Sequence, residues 1–438
     1  MDKNRKTAYS TLLEIERNQA FSNIELNRQI KEQEPDSPAF VRELVYGVLE
    51  TKRYLDYVLS QLIPKGLKGV KKQTLTLLRM GLYQILYMDS VPDYAAVSET
   101  VKLARRLIPG RDGFVNGVLR GYGKKAGSIK MPDRERDSVR YFGIRYSYAD
   151  WIVKLWISQY GAESAESLLR AGNLRPQLSV RVNLLKTNPD ALRERLEEEG
   201  FVVTAGKYSR NVLYVRGSGL LASSGYQEGL FSIQDESSAL AAECLHPRPG
   251  ETVIDLCAAP GGKTLAMAEL MENRGRLLAF DIYAHKLELL EKEAERLGVT
   301  IIETGENDGC ILRKDLIESA DRVLVDGPCS GLGVVRRKPE IKYKEISDDG
   351  RDLAKKQLEI LSCAGQYVKP GGMLLYSTCT INKIENAEVA TSFLKANRQF
   401  ELVRSRQLLP DADETDGFYI CKMRKKGSPK GDDDGGRV

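Results

Sequence analysis

The feature that most constrains the fold is the rhythm of the last two-fifths of the chain. Short apolar runs alternate there with amphipathic segments, and five runs are strand candidates: TVIDL, RLLAFD, TIIET, RVLVD and MLLYST. The segment between the second and third runs places apolar residues on one helical face, namely Leu287, Leu290, Ala294 and Leu297. Buried strands that alternate with helices predict a parallel, doubly wound α/β domain, here over residues 249–425.

The first 125 residues lack strand-type alternation and are predicted to be helical. Apolar residues recur there at helical spacing, and breakers separate the segments. The spaced residues include Val41, Leu44, Val45, Val48, Leu75, Leu78, Leu82 and Ile85, and the breakers include Pro35, Pro64, Pro92 and Pro109. The pattern predicts an all-α module over residues 1–125.

Three further regions are predicted from changes in composition. The charged stretch from Gly121 to Asp137 breaks the helical pattern, and we expect a linker at 126–139. Residues 140–248 mix the helical stretches WIVKLWISQYG and DALRERLEEEG with the strand-like stretches LSVRVNLLK and NVLYVRG, which predicts a helical plus small α+β unit. The end of the chain, 426–438, is of low complexity and is predicted to be a disordered tail.

Composition limits the classes of function. No apolar run approaches the ~18 residues of a membrane span, and the polar N-terminus has no signal-peptide core, so we expect a cytoplasmic protein. Seven cysteines without a C-x-x-C pair, and only two histidines, argue against disulfides, zinc and histidine-based catalysis. Residues 1–140 hold 25 Lys and Arg against 17 Asp and Glu, or +8, whereas the remainder holds 41 against 44, or −3. This asymmetry indicates either a polyanionic partner or a solvated, lysine-rich helical surface.

The loop after the first strand candidate, DLCAAPGGKT, resembles a phosphate-binding loop only at its end. Gly262, Lys263 and Thr264 match the end of G-x-x-x-x-G-K-[ST], but Cys257 replaces the first glycine and Pro260 removes a backbone donor. These departures argue against a nucleotide hydrolase. Small residues at the carboxyl end of a strand let a ligand approach the backbone closely, so we expect a ligand without a polyphosphate.

Two acids follow the next two strand candidates. Asp281 lies about 20 residues after the loop, the spacing of an acid that hydrogen-bonds a ribose hydroxyl. Asp308 follows the third strand and could meet an adenine amino group. The alternative for both is a helix cap or turn acid. Together with the loop, these acids fit an adenosine ligand and predict S-adenosylmethionine as the cofactor.

Two cysteines follow the fourth and fifth strand candidates, Cys329 in DGPCSGLG and Cys379 in YSTCT. Because the carboxyl ends of parallel strands meet at one edge of a sheet, these thiols should converge beside the cofactor loop. The usual role of a free cysteine is that of a small buried hydrophobe. We expect that role for Cys244, Cys310, Cys363 and Cys421.

A thiolate beside a methyl donor suits the methylation of cytosine at C5. That carbon is a poor nucleophile, but addition of a thiolate to C6 gives an enamine-like adduct in which C5 can attack a methyl group. The adduct then loses the C5 proton and expels the thiolate. Asp326 could hydrogen-bond the N3/N4 edge of the base, and Lys263 could hold its carbonyl.

These motifs resemble those of the NOL1/NOP2/Sun family of RNA cytosine-5 methyltransferases: AAPGGKT, DxPCSGxG and STC, with RRKPEIKY and DGFYICKM also similar. The resemblance implies a Rossmann-like methyltransferase domain with a seven-stranded, mostly parallel sheet. It also implies that Cys379 is the nucleophile and that Cys329 assists product release, with Asp326 and Lys263 completing the catalytic set. The implied cofactor-binding residues are Cys257, Ala258, Ala259, Pro260, Gly261, Gly262, Lys263, Asp281, Asp308 and Asp326.

The N-terminal 125 residues resemble NusB, a small helical RNA-binding protein, in FSNIELNRQI, FVRELVYGVLE and FVNGVLRGYGK. The two resemblances together imply a bacterial enzyme that methylates a specific cytosine of 16S ribosomal RNA. We expect a monomer that binds this RNA but neither DNA nor a membrane, and that acts on an unpaired or flipped base. The basic helical module and the α+β unit would hold RNA phosphates. Arg336, Arg337 and Lys338 could do so near the target, or form a solvated loop.

Other functions remain open at this point. A DNA cytosine-5 methyltransferase would use Cys329 as the nucleophile, which the STC motif and the NusB-like module disfavour. The enzyme could act on another RNA. A non-catalytic RNA-binding assembly factor would be expected to lack one of the motifs, and all are present. Two small departures from the family pattern are Gly327, where alanine is common, and Thr380, where serine is common.

Overall fold

The protein, seen in a computed structural model, consists of two compact units. The described residues are 2–18, 21–344 and 349–427. One unit comprises Met1–Leu174 and Val335–Glu345, and the other comprises Arg175–Val334 and Ile346–Val438. The unit predicted at 140–248 is therefore divided between the two. The tail predicted at 426–438 lies, except for its first two residues, outside the described part of the chain.

The first unit contains only helices in its described residues. They are α1 (Lys3–Asn18), α2 (Ser22–Gln33), α3 (Pro38–Leu62), α4 (Lys72–Tyr87), α5 (Asp93–Leu107), α6 (Asp112–Lys125), α7 (Ser138–Arg145), α8 (Asp150–Tyr160) and α9 (Ala162–Ala171). The predicted breakers fall between these helices, and the predicted apolar face of α3 is buried. No described helix is both long and apolar enough to cross a membrane.

The prediction that the helical pattern breaks at Gly121 is wrong. Helix α6 continues to Lys125, through Gly121 and Gly123. An isolated glycine costs a helix only about 1 kcal/mol relative to alanine. The buried side chains of Val118 and Leu119 hold the preceding turn against the core, so the helix continues.

The second unit begins with a four-stranded antiparallel sheet in the order β2-β3-β1-β4. Its strands are β1 (Ser179–Val182), β2 (Val202–Ala205), β3 (Val212–Arg216) and β4 (Phe231–Ile233), and its helices are α10 (Pro189–Glu198) and α11 (Ser224–Gln227). The sequence predicted β1, α10 and β3. It did not predict β2 and β4, which are only four and three residues long, too short for alternation to stand out.

The rest of the second unit is the predicted doubly wound domain. Its strands are β5 (Thr252–Asp255), β6 (Arg276–Asp281), β7 (Ile302–Glu306), β8 (Ala320–Asp326), β9 (Val368–Thr378), β10 (Phe400–Leu408) and β11 (Phe418–Lys425). Its helices are α12 (Glu236–Leu245), α13 (Gly262–Leu270), α14 (Ala284–Leu297), α15 (Arg351–Tyr367) and α16 (Ala387–Ala396). The sheet order is β10-β11-β9-β8-β5-β6-β7. Strands β5 to β9 run parallel and β10 and β11 antiparallel to their neighbours, which confirms the predicted fold class.

The order of the strands sets where a ligand can bind. From β5 the chain adds β6 and β7 on one side and then β8 and β9 on the other, so the order reverses at β5. Ligands of such sheets bind at the carboxyl ends of the strands at this reversal. Every predicted site segment follows one of these five strands.

A buried ion pair joins the small sheet to the helix that follows the cofactor loop. Arg181 of β1 contacts Glu269 of α13, with 2.6 Å between Nη2 and Oε1, and both side chains are buried. Arg181 also donates to the carbonyl of Gly262 at 2.7 Å. Arg181 therefore holds α13 at its first residue through the Gly262 carbonyl and near its last through Glu269, and removing either partner of the pair would leave an uncompensated buried charge.

Candidate active site

The loop between β5 and α13 folds back over the end of its own strand. Asp255, the last residue of β5, is buried and accepts hydrogen bonds from Thr264 Oγ1 at 2.8 Å and from the Cys257 amide at 3.3 Å. Burial raises the pKa of Asp255 to about 7, and the charge of Asp326 adds to this, against the hydrogen bond from Thr264. Thr264, which a phosphate loop would offer to a metal ion, instead anchors the loop here.

Gly261 occupies a position that only glycine fills without strain. Its φ is 111°, and a Cβ there would lie 2.8 Å from Leu290 Cγ. Gly371 has a positive φ of 84° but open space around it. Alanine variants of Gly261 and Gly371 therefore separate the effect of backbone strain from the effect of steric crowding.

Gly261→Ala is expected to destabilise the protein more than Gly371→Ala and to weaken the binding of S-adenosylmethionine. In both variants an alanine must adopt a left-handed backbone conformation, which lowers the stability of the protein by about 1–2 kcal/mol. Only Gly261→Ala adds overpacking against Leu290, about 1–3 kcal/mol. Thermal unfolding and calorimetric titration with the cofactor measure both effects. Equal losses in the two variants would contradict the crowding argument.

Asp281, at the end of β6, lies against the cofactor loop. Its two oxygens accept from the amides of Ala259 at 3.2 Å and Tyr283 at 3.0 Å. A carboxylate has about four acceptor positions, so these bonds leave capacity for two ribose hydroxyls. The chemistry of this residue and the small side chains of Ala258 and Ala259 therefore fit an adenosine ligand.

Asp308 lies in the turn after β7. Its Oδ1 accepts from the Cys310 amide at 3.0 Å, which is the turn-acid arrangement that the sequence offered as the alternative. This bond holds the turn beside the end of β5, where a Cβ on Gly309 would lie 3.6 Å from the Leu256 carbonyl oxygen. Contact between Asp308 and adenine stays a prediction.

The two candidate catalytic cysteines are in contact. Cys329 Sγ and Cys379 Sγ are 3.2 Å apart, after β8 and β9 respectively. Their loops are tied together by a hydrogen bond of 2.9 Å between the hydroxyls of Ser330 and Thr380 and by the Gly333 amide, which donates to the Cys379 carbonyl at 3.0 Å. The arrangement holds two thiols at one edge of the sheet.

Hydrogen bonding and burial raise the pKa of the Cys329 thiol well above its usual range. The largest cause is the hydrogen bond with Cys379, followed by burial and by the negative charges of Cys379, Glu385 and Asp326. All of these disfavour a thiolate at Cys329. Cys329 is therefore held as a neutral thiol.

Lys263 and Asp326 form an ion pair beside the cysteines. Lys263 Nζ donates to Asp326 Oδ2 at 2.6 Å, and Ser377 Oγ donates to Asp326 Oδ1 at 2.7 Å. Burial lowers the pKa of Lys263, but attraction to Asp326, their hydrogen bond and the charge of Cys379 outweigh it, so the pKa is raised. The ammonium also lies 5.0 Å from the centroid of the Phe418 ring. A positive charge is thus held at the cysteine edge.

Glu385 is a buried carboxylate that was not among the residues predicted from the sequence. Its Oε2 accepts from the Ser330 amide at 2.8 Å and from Gln357 Nε2 at 3.2 Å, and its Oε1 accepts from Asn382 Nδ2 at 3.0 Å. Gln357 Nε2 also donates to the Pro328 carbonyl at 2.8 Å. The residues on both sides of Cys329 are therefore held by one polar cluster. Burial raises the pKa of Glu385 and these hydrogen bonds oppose the shift.

Glu385→Gln is expected to destabilise the Cys329 loop. The three partners of Glu385 all donate hydrogen bonds, so either orientation of the new amide places its NH2 group against a donor. The expected loss of stability is about 1–3 kcal/mol. A fall in melting temperature and in the rate of methyl transfer would follow. Glu388→Gln, an exposed acid on α16, is the matched control. Wild-type behaviour of Glu385→Gln would show that the cluster does not position Cys329.

The remaining predicted positions agree with the structure only in part. A Cβ on Gly327 would be in ordinary contact with Gln357 Cγ at 3.4 Å, which explains why alanine is also tolerated at this position in the family pattern. Lys338 lies in the first unit, with Nζ 5.3 Å from the Phe21 ring centroid, so its contact with phosphates stays a prediction. Cys421 is buried in the core, whereas Cys244, Cys310 and Cys363 are only partly buried.

Comparison with known protein families covers most of the chain. Three family models match in succession: NusB (residues 2–124), the ferredoxin-like domain of RsmF/B-like methyltransferases (residues 148–219) and 16S rRNA methyltransferase RsmB/F (residues 242–424). These matches confirm the predicted NusB-like region and methyltransferase region.

Individual relatives align over nearly their full length. The chain is 40% identical to a probable ribosomal RNA small subunit methyltransferase B of Bacillus subtilis, over 97% of this chain and 99% of the relative. It is 33% identical to a ribosomal RNA small subunit methyltransferase B of Klebsiella pneumoniae, over 94% and 95%. The crystal structure of PH0851 is similar with a TM-score of 0.83 at 25% identity, over 97% of this chain and 99% of that chain. The chain therefore belongs to the RsmB/F family of 16S rRNA methyltransferases.

Proposed function

We propose that this protein transfers a methyl group from S-adenosylmethionine to C5 of a specific cytosine in 16S ribosomal RNA. The observation that carries the proposal is the 3.2 Å contact between Cys329 Sγ and Cys379 Sγ. A sheet edge with two thiols and a lysine–carboxylate pair suits covalent activation of a base. The names of the relatives support rRNA as the substrate class.

The bound cofactor would supply an electrophilic methyl group, and this chain's residues would hold it. Asp281 would accept from the ribose hydroxyls, Asp308 would face the adenine, and the loop from Cys257 to Lys263 would border the ligand. Asp326 stands where β8 ends, between this loop and the cysteines. The fit rests on the spare acceptor capacity of Asp281 and on the small side chains of the loop.

The nucleophile in the proposal is Cys379. The Lys263 ammonium lies near enough for Cys379 to contribute to its raised pKa, and a neighbouring positive charge favours a thiolate. Cys329 meanwhile keeps its proton, because its pKa is raised. The Cys379 thiolate bonds to C6 of the cytosine, and the electron pair of the C5–C6 double bond shifts toward C4 and N3, which makes C5 an enamine-like nucleophile. C5 would then take the methyl group, with the electron pair of the broken carbon–sulfur bond left on the cofactor. Asp326 hydrogen-bonds the N3/N4 edge and Lys263 the carbonyl oxygen.

Release follows from the same electrostatics. Once C5 has gained the methyl group, its proton must leave so that the C6–S bond can break. Cys379 is then a thioether, so its thiol hydrogen bond and its negative charge no longer raise the pKa of Cys329, whereas burial and the charges of Glu385 and Asp326 still do. In the proposal Cys329 then loses its proton to solvent and takes the proton from C5, while Cys379 departs as a thiolate.

The substrate must present an exposed base. C5 and C6 of a paired cytosine lie inside the stack, so the enzyme would act on a single strand or flip its target. We place the reaction in the cytoplasm, with a monomeric enzyme and 16S rRNA as its partner.

The test is methylation of small-subunit rRNA that lacks the modification. The protein is incubated with this RNA and labelled S-adenosylmethionine, and digested nucleosides are separated by mass. We expect 5-methylcytidine at one position. A methyl group on a ring nitrogen or a ribose, or on DNA instead, would overturn the proposal. RNA binding without any methyl transfer would favour a non-catalytic assembly factor.

A further inference from the structure

A basic cleft lies on the sheet face at the antiparallel edge, and the proposed reaction does not use it. The cleft has a volume of about 400 Å³ and is bordered by β10, β11, α12 and Tyr208. Three of its lining residues are basic: Arg404, Arg406 and Lys422. We call it the β10–β11 cleft.

Two of these positive charges face each other without a negative partner. Arg404 on β10 pairs directly with Lys422 on β11, and like charges directly opposite destabilise an antiparallel pair. Among the residues that the structure describes, the Arg404 side chain makes no ion pair or hydrogen bond. Lys422 Nζ donates to the Cys244 carbonyl at 2.7 Å, which leaves its charge uncompensated. An external anion between the Arg404 and Lys422 side chains would relieve this repulsion and so stabilise the fold.

One acid, Glu243, lines the cleft beside the three basic residues, and its hydrogen bonds to neutral groups leave its negative charge in place. A second acid, Asp413, is paired. Glu243 Oε1 accepts from Ser209 Oγ at 2.6 Å and from Asn211 Nδ2 at 3.0 Å. Asp413 Oδ1 accepts from Arg406 Nη2 at 2.9 Å and is also bonded by the hydroxyl of Tyr208. Arg406 is therefore paired and held over an aromatic ring, whereas the other two cations are not.

The charges around Lys422 are mostly paired. Burial lowers the pKa of Lys422, the charge of Arg322 lowers it further, Cys244 opposes this, and the weaker effects of Arg424 and Arg248 add to the lowering. Because Arg322 and Arg424 are ion-paired with Glu251 and Glu401, the charge that would attract an anion is that of Arg404 and Lys422. This is the electrostatic environment that phosphate groups require.

Strand β11 also links the cleft to the proposed reaction site. Ile420, which lines the cleft, lies two residues along β11 from Phe418, and residues two apart on a strand share a face. The Phe418 ring contacts the Lys263 ammonium. Both Phe418 and Ile420 are buried, so they fix where the cleft lies along the strand that leads to the reaction site.

We propose that the β10–β11 cleft binds the phosphodiester backbone of the substrate RNA. The inference rests on the proposed function and deepens it, because it names where this half of the protein holds the RNA. Arg404 and Lys422 supply the charge, and the role is one of affinity and register rather than of chemistry.

The test is the double variant Arg404→Gln/Lys422→Gln in the full chain. Its affinity for unmethylated small-subunit rRNA is measured from 50 to 200 mM salt, and its kinetics at saturating cofactor. We expect about tenfold weaker binding and a plot of log affinity against log salt that is less steep by about 1.4, because two fewer phosphates are neutralised. KM for RNA rises in step, while kcat at saturating RNA and the affinity for S-adenosylmethionine stay unchanged.

Matched variants separate this role from general charge and from folding. Lys292→Gln/Lys395→Gln removes two exposed lysines on α14 and α16 and should keep the wild-type slope. The charge-preserving variant Arg404→Lys/Lys422→Arg should also keep it. If that variant loses as much affinity as the double glutamine variant, the residues act through packing and the inference is overturned.

The remaining outcomes distinguish the inference from the proposed function. If the double glutamine variant keeps the wild-type RNA affinity, salt dependence and methylation, the inference about the cleft is wrong and the proposed function stands. If the double glutamine variant binds inorganic phosphate more weakly but RNA as tightly as the wild-type protein, the cleft is a small-anion site and the inference is wrong. If the wild-type protein neither binds nor methylates the RNA, the proposed function fails and the inference with it.

Discussion

Cys379→Ala is expected to abolish methyl transfer, whereas Cys329→Ala is expected to stall as a covalent protein–RNA complex. Loss of the nucleophile removes both half-reactions, and in enzymes that use a covalent intermediate such a loss costs on the order of 10⁶ in kcat. Cys329→Ala keeps the nucleophile 3.2 Å from the vacated thiol position but lacks the group that takes the C5 proton. We therefore expect about one methyl group per protein and then no turnover.

Single-turnover assays with excess protein, followed by denaturing electrophoresis, measure both quantities. Cys363→Ala is the control, because this partly buried thiol on α15 donates to the Cys310 carbonyl and takes no part in the proposed reaction. A stable complex with Cys379→Ala instead would exchange the two roles and favour the DNA-type mechanism. No complex with either variant would remove the basis for covalent catalysis.

Asp326→Asn is expected to lower kcat by about 10²–10³, the usual cost of removing one group that stabilises charge in a transition state. The carboxylate neutralises Lys263 at 2.6 Å and would hold the N3/N4 edge of the base. Without it, the pKa of the buried Lys263 should fall, since burial already lowers it and Asp326 provides the main opposing effect. The ammonium beside Cys379 would then be partly lost at higher pH.

Asp321→Asn is the matched control for this prediction. Asp321 lies on the same strand at its other end, also paired with a lysine, Lys369, at 2.8 Å. Steady-state kinetics of the two variants, together with cofactor affinity, separate a chemical effect from a folding effect. Equal kcat values in both variants would show that the Lys263–Asp326 pair is structural.

Much of the fold of the methyltransferase domain could be predicted because the sequence patterns that indicate its strands and loops are local. Buried parallel strands give continuous apolar runs, and glycine, proline and acid residues mark their carboxyl ends. The antiparallel strands β10 and β11 were not among the strand candidates. Strand β10 is largely exposed and rich in charge, so its sequence lacks both the apolar run and a clean alternation.

Features that depend on contacts distant in sequence could not be predicted. The sequence interpretation reached only Arg336, Arg337 and Lys338 and made no prediction for Lys342. This residue is fully buried, and burial lowers its pKa to about 7. Its Nζ donates to Asn173 Oδ1, 169 positions away, and Glu340 accepts from Ser22. These contacts place Val335–Glu345 in the helical unit.

The same reason explains why Glu385 was missed. Its sequence, ENAEV, is typical of a helix start, and nothing local indicates that its carboxylate meets the Ser330 amide 55 positions earlier. Glycine and cysteine motifs indicate the reacting groups, but the residues that hold them in place are identified only by the fold.

The most direct test of the covalent mechanism uses substrate RNA in which cytidine is replaced by 5-fluorocytidine. Fluorine on C5 cannot leave as a proton does, so the methylated adduct should accumulate on the wild-type protein with S-adenosylmethionine. Digestion and mass spectrometry then identify the attached residue. The proposed mechanism predicts one RNA-linked, methylated peptide that contains Cys379. Attachment at Cys329, or methyl transfer without any attachment, would contradict it.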